Sequence, residues 1–370
     1  MKPAPNILLN VLTEHGRINQ LFLAEWDLLI RQARSAGLLA ALFDIVQECG
    51  HVAVAEGPYN HLRAARILTD KHQRDVRWEV RCIADALENV ESPVVLLKGA
   101  AYLMADLSVA KGRFFSDIDI LVPKINIDEV EQTLRLKGWV SGSHDAYDQR
   151  YYRTWMHELP PLRHRFRNTV LDVHHNILPT TAKLRPDAKK LLQNAVPLEG
   201  YTSLYVLAPA DMVLHSATHL FSDGELEHGL RDLYDLDGLL RHFGTRGQFW
   251  DELVERAVEM DLGRPLYYAL TYTSRLLATP VPTTVVEAAA AVSKPAKPLA
   301  ALMDVLLPRA LMPDHPSCDD VFTPLARSLL YIRSHHLRMP LYLLLPHLFH
   351  KAFISEKGAV SRQETELEKQ

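Results

Sequence analysis

From Asn6 to about Asn89, apolar residues recur every three or four positions, as in Leu21, Leu23, Trp26 and Leu29 and again in Leu38, Leu39, Leu42 and Phe43. That is the period of helices with one buried face, so residues 1–90 are expected to form a helical N-terminal region. Between Glu91 and Ile177 the pattern changes to short runs rich in β-branched residues, Val94 to Leu97, Ile118 to Val122 and Thr169 to Val173, separated by Gly, Pro and polar stretches. Such runs read as strands. One helix stands out between them, Asn126 to Lys137, with Ile127, Val130 and Leu134 on one face and Gly138 as its stop. Beyond Pro209 the helical period returns through Val213 to Phe221, Leu230 to Phe243, Phe249 to Met260 and Leu266 to Leu277, with Pro-rich joints at Pro280 to Pro282 and Pro313 to Pro316. The expected fold class is α+β: a small mixed sheet over 91–205 flanked by helices, then an all-helical domain over 206–354. Residues 355–370 are polar, with little to bury, and are expected to form a disordered tail.

Composition narrows the options. A hydrophobic fraction of 48% over 370 residues supports a full core without covalent staples. Cys49, Cys82 and Cys318 are odd in number and far apart, which fits neither a disulfide framework nor a Cys-x-x-Cys metal site and suits a reducing cytoplasm. The formal charge of -4 gives no overall cationic field, so bulk nucleic-acid binding is not expected and any polyanion contact must be local. Met1 to Asn6 leads into an amphipathic segment without the pattern of a secretion signal. The apolar stretch Met339 to Phe353 is interrupted by Pro346, His347, His350 and Lys351 and falls short of the ~20 residues a transmembrane helix needs. It reads as a buried helix, with peripheral docking on a membrane surface as the other reading.

The chemistry concentrates in Phe115 to Val122. On a strand, Asp117 and Asp119 project to one face while Ile118, Ile120 and Val122 project to the other. Two carboxylates on one face repel, and a divalent cation reverses that penalty; hard oxygen ligands suit Mg2+ or Mn2+. A solvated strand end carrying two aspartates is the plainer reading of the pair alone. Three neighbours add to the pair. Val94 to Gly99 reads as a strand ending in a glycine turn, with the following helix from Ala100 offering backbone N–H groups to a phosphate. Lys98 and Arg113 supply cations suited to a triphosphate. Val170 to His174 carries a third acid, Asp172, on the same face as His174, with His175 on the other.

Two further groupings allow other readings. His215 and His219 lie four apart on one helical face, with Asp232 and Asp235 on the next helix, a set that could bind a metal and hydrolyse a phosphoester, although no catalytic Glu lies between the histidines. The run Tyr151, Tyr152, Arg153, Trp155, His157, Arg163, His164, Arg165 and Arg167 interleaves aromatic and basic groups. It fits either an anionic or nucleic-acid acceptor or two exposed strands with a solvated face. Ser328 to Leu345, with Tyr331, Arg333, His335, His336 and Arg338, reads as a packed helix pair.

Leu97-Lys98-Gly99, Asp117-Ile118-Asp119 and Asp172 resemble, in order and context, the pattern of the DNA polymerase β-like nucleotidyltransferase superfamily. With Arg113, Ser116, Leu171 to His174, His215, His219, Arg231, Asp232 and Asp235, the stretch from Val94 to Leu240 is similar to the bacterial nucleotidyltransferase family called NTP-transferase 5. The resemblance implies a metal-dependent transfer of a nucleoside monophosphate from an NTP to a hydroxyl-bearing acceptor, a small molecule, a protein or RNA, with release of pyrophosphate. It implies that Asp117, Asp119 and Asp172 hold two Mg2+ ions, or Mn2+, typically about 3.5–4 Å apart in such sites. It also implies that Lys98, Gly99, Ala100, Arg113, Ser116 and His174 contact the nucleotide. Ala100 departs from the superfamily pattern, which commonly has a phosphate-binding serine there. A fold retained as a nucleotide-binding or scaffold module, without catalysis, is the alternative.

Overall fold

The computed structural model describes residues 6–50, 54–141, 146–222, 226–340 and 342–343. The expected tail and most of the Met339 to Phe353 stretch lie outside these residues. Helices Ile7–Thr13, Leu23–Ser35, Leu39–Glu48 and the long Glu56–Ala86 form the N-terminal region, as the helical period required. Asn6 caps the first by accepting a hydrogen bond from the Leu9 amide at 3.0 Å. Helices Pro209–Ser222, Gly229–Phe243, Phe249–Glu259, Gly263–Leu277, Thr283–Ser293, Lys297–Ala310 and Thr323–Arg338 make up the C-terminal half.

Between them lies a mixed sheet, so the fold is α+β. In chain order its strands are β1 (Val94–Leu96), β2 (Asp117–Leu121), β3 (Trp139–Ser141), β4 (Leu162–His164), β5 (Val170–His174), β6 (Val196–Pro197) and β7 (Leu204–Val206), in the spatial order β3-β4-β5-β2-β1-β7-β6. β2 runs antiparallel to β1 and parallel to β5. In that parallel register Asp119 stands directly beside Asp172. Ile118 and Ile120 are buried on the opposite face, which fixes the register, because a slip of one residue would drive the aspartates into the core. The helix Ile127–Leu136 forms where its period predicts, burying Val130 and Leu134, and Gly138 ends it at φ +100°.

The run from Tyr151 to Arg167 corrects one expectation. Its first part is a helix, Ala146–Trp155, and only Leu162–His164 is a strand. The tyrosine and tryptophan at 151 and 155 are a helical i, i+4 pair with ring centroids 5.9 Å apart. Nor is Arg167 a solvated base. It forks onto Glu79 of the long N-terminal helix, Nε to Oε2 at 2.8 Å and Nη2 to Oε1 at 2.7 Å, with its guanidinium 4.7 Å from the Trp139 ring centre. One buried apolar cluster runs through all three regions, from Ile7 through β1, β2 and β5 to Leu330, so the helices on both sides brace the sheet.

Candidate active site

Asp117, Asp119 and Asp172 each present a carboxylate oxygen within 4.8 Å of the others. Two come from alternate positions of β2 and the third from its partner β5, so backbone pairing alone sets their spacing. They open into a cavity of about 460 Å³ also lined by Lys98, Tyr152, His157, Glu158, His174, Thr218, Tyr331, His335 and Arg338.

The three acids sit in unlike fields. Burial alone would raise the Asp119 carboxyl. The Lys98 ammonium, 3.3 Å from Oδ1, and His174 Nε2, 2.9 Å from the same atom, outweigh it and hold Asp119 far below the usual carboxylate range. Asp119 is therefore the ionised anchor of the group. Asp117 is pushed up by burial and then by the Asp119 charge. Asp172 is pushed up to about 7 by burial and by the Asp119 and Glu158 charges, and its Oδ1 is buried with no hydrogen-bond partner among the described residues. His174 is raised: burial lowers it, but its bond to Asp119 and the nearby Glu158 prevail.

A buried oxygen without a partner, inside a set of three acidic ligands, is what a divalent cation satisfies. The residues present thus fit Mg2+ or Mn2+. In the metal-free protein Asp172 binds more protons folded than unfolded between about pH 4 and 7, so it lowers stability as pH rises through that window. A cation must displace that proton. Apparent Mn2+ affinity should therefore climb about tenfold per pH unit up to about 7 and then level off. Calorimetric titration from pH 5.5 to 8.5 tests this, and a flat profile would show that Asp172 does not gate the site.

The structure separates the other expected site residues. Lys98 lies in the cavity wall with φ +45°, a left-handed conformation that costs a lysine roughly 1–3 kcal/mol and is tolerated where surrounding structure holds it. Its carbonyl neighbour Leu97 anchors it, the Leu97 amide donating to the Asp119 carbonyl at 3.0 Å. Gly99 and Ala100 are buried. A Cβ at Gly99 would lie 2.8 Å from Cδ1 of Phe115 and 3.1 Å from Nε of Arg113, so the glycine there makes room for these two side chains. Ala100 is packed in the apolar cluster, which leaves its backbone as the only part suited to a polar ligand. Ser116 is exposed and lines a separate hollow with His72, Trp78 and Phe115; Asp117 borders both spaces.

Arg113, expected as a triphosphate cation, sits with other partners in this structure. Its guanidinium forms a buried ion pair with Asp235 of the Gly229–Phe243 helix and lies 5.6 Å from the Tyr102 ring centre, outside the lining of the carboxylate cavity. Asp235 also receives Arg231 Nε at 3.2 Å. His215 is buried beside Lys98 and Leu97, held neutral by burial and then by the Lys98 charge. His219 lines the cavity and faces Asp232 at 3.9 Å. Among the described residues, His215, His219, Asp232 and Asp235 do not converge as a metal-ligand group, which removes the support for a phosphohydrolase centre. His174 faces Asp119 in the cavity, and His175 is not among the residues that line it.

Sequence reasoning offered His157 only as part of a run suited to an acceptor, and it did not assign Glu158, Thr218, Tyr331, His335 or Arg338 to the site. One signal was available. Tyr331, His335 and Arg338 are spaced i, i+4, i+7, a polar stripe on one face of their helix. The opposite face is used for packing, where Arg333 donates to the Phe221 carbonyl at 2.9 Å and lies over the Tyr268 ring. Thr181 Oγ1, on the segment after β5, donates to the Arg338 carbonyl at 2.7 Å and ties this helix over the cavity.

A family model described as an uncharacterised nucleotidyltransferase matches residues 23–278. No curated protein matches the sequence. No helix among the described residues is long and apolar enough to cross a membrane.

Proposed function

This chain belongs to the uncharacterised nucleotidyltransferase family, and on that premise we propose that it moves a nucleoside monophosphate from an NTP to a hydroxyl-bearing acceptor. A bond forms between the acceptor oxygen and the α-phosphorus, the bond from that phosphorus to pyrophosphate breaks, and the acceptor hydroxyl gives up its proton. The observation that carries the reading is the convergence of Asp117, Asp119 and Asp172 across two parallel strands, with one buried oxygen of Asp172 left unsatisfied.

Asp117, Asp119 and Asp172 would hold Mg2+, which supplies Lewis-acid stabilisation of phosphate charge when bound. The chain's own groups do the rest. His174 and Lys98 fix the Asp119 carboxylate from two sides. Asp172, paired beside Asp119, would complete the metal site or take up the proton of the acceptor hydroxyl. Lys98, in the cavity wall with its ammonium 3.3 Å from Asp119, is suited to a phosphate oxygen as charge develops on the leaving group. Catalysis is then chiefly positioning and charge stabilisation.

Lys98→Ala separates two effects. Without nucleotide, Mn2+ affinity should rise, because Lys98 no longer competes for Asp119. Transfer should fall roughly tenfold to a hundredfold, the worth of one charge-assisted hydrogen bond. Unchanged transfer would remove Lys98 from the site.

The deciding experiment incubates the full chain with each α-labelled NTP and Mg2+ in a cell extract and asks where label goes. Transfer to a small molecule, protein or RNA identifies the acceptor class. Nucleotide binding with no transfer to any of them would replace the enzymatic reading with a binding module.

A further inference from the structure

The backbone beside β5 places three further ligands next to the carboxylates. Leu159 donates to the Val173 carbonyl at 2.9 Å and His175 donates to the His157 carbonyl at 2.7 Å, so residues 157–159 run as an antiparallel edge with Glu158 opposite His174. This pairing, rather than a loose loop, sets how the three side chains meet.

His174 is the informative member. Asp119 is an ionised acceptor, so the 2.9 Å contact to His174 Nε2 requires the proton on that nitrogen. The other nitrogen, Nδ1, faces Glu158 Oε2 at 3.1 Å but makes no aligned hydrogen bond. Unless a second proton sits on the ring, two lone-pair atoms confront each other there. His157 completes the group: one of its ring nitrogens lies within 4.8 Å of the ligand atoms of Glu158 and His174, and its Nδ1 is buried without a hydrogen-bond partner among the described residues.

We propose that His157, Glu158 and His174 form a second cation site, for Zn2+, adjoining the acidic one. Zinc–nitrogen and zinc–oxygen bonds of about 2.0–2.2 Å set ligand atoms roughly 3.0–3.5 Å apart around one ion, the spacing already present between His174 and Glu158. Two imidazoles and one carboxylate suit Zn2+ far better than Mg2+, which takes oxygen ligands. Asp119 stands behind His174 as the carboxylate that orients a metal-binding imidazole. All three ligands line the cavity, which leaves a fourth position on its side for water or an acceptor oxygen. Metal on Nδ1 locks the Nε2 proton toward Asp119, so the two sites communicate through one ring. This site does not depend on the transfer reaction.

The test is metal binding by the full chain, stripped with chelator, then offered Zn2+ in excess Mg2+ and freed of unbound metal. One Zn2+ per chain is expected by mass spectrometry of the bound metal. Co2+ in its place should give the visible absorption of a nitrogen-ligated ion of low coordination. His157→Gln and Glu158→Gln should each weaken Zn2+ at least about tenfold, with circular dichroism confirming the fold, while Asp117→Asn, altering only the acidic site, should leave Zn2+ bound. Absence of zinc and of the cobalt spectrum in the unaltered chain would overturn the proposal without recourse to any variant, leaving His174 as an imidazolium between two carboxylates. So would zinc that survives both Gln variants but is lost in Asp117→Asn.

Discussion

Asp119→Asn should lower nucleotidyl transfer by about three orders of magnitude or more while the protein still folds. The estimate is the scale on which removing one fully engaged electrostatic element slows a charge-stabilised reaction, and Asp119 serves several at once. It is the one acid of the three kept firmly ionised, it is 5% exposed, and it is the shared partner of Lys98 and His174. Asparagine keeps the volume and one acceptor oxygen, so the core behind β2 is undisturbed and the loss is chemical. The measurement is single-turnover transfer from labelled NTP alongside a thermal melt. Activity within tenfold of the unaltered chain, in a folded variant, would sink the assignment of this site.

The second large effect is on stability. Asp235→Ala strands two arginines at once, Arg113 from the loop before β2 and Arg231 from its own helix. Breaking a buried pair by removing one partner typically costs about 3–5 kcal/mol, because an uncompensated charge remains. For a chain of this size that corresponds to a fall in melting temperature of roughly 4–6 °C. Restoring the balance with Asp235→Ala combined with Arg113→Met should recover much of the loss; a double variant no better than the single one would show that the pair is not the source.

The parts of this fold that were legible in the sequence are those whose signal is local. β1, β2 and β5 announce themselves as apolar runs, and the alternation in Asp117 to Leu121 fixes which residues face the cavity. The Ile127–Leu136 helix is readable to within a residue or two from its period and its glycine stop. β3, β4, β6 and β7 are only two or three residues long, too short to establish a period of two. The partner of Arg113 was not legible for another reason. Nearness in sequence to Asp117 says nothing about direction, and its partner Asp235 lies far along the chain on a helix that folding alone brings near. Glu158 was missed because a single glutamate after a helix carries no pattern; its place opposite His174 exists only once the backbones pair.

Gly99 and Phe115 meet across the turn that leads into the site, with the ring filling the space a Cβ would need. Position 99 therefore cannot gain a side chain while the ring stays in place. A library randomised at residue 99 alone should return glycine, whereas one randomised at both should admit alanine at 99 when a smaller side chain replaces the phenylalanine. Across related sequences the two positions should drift together as a small-with-large pair. A statistical coupling between them would then record close packing, and would be mistaken for shared contact with a nucleotide by anyone reading it without the structure.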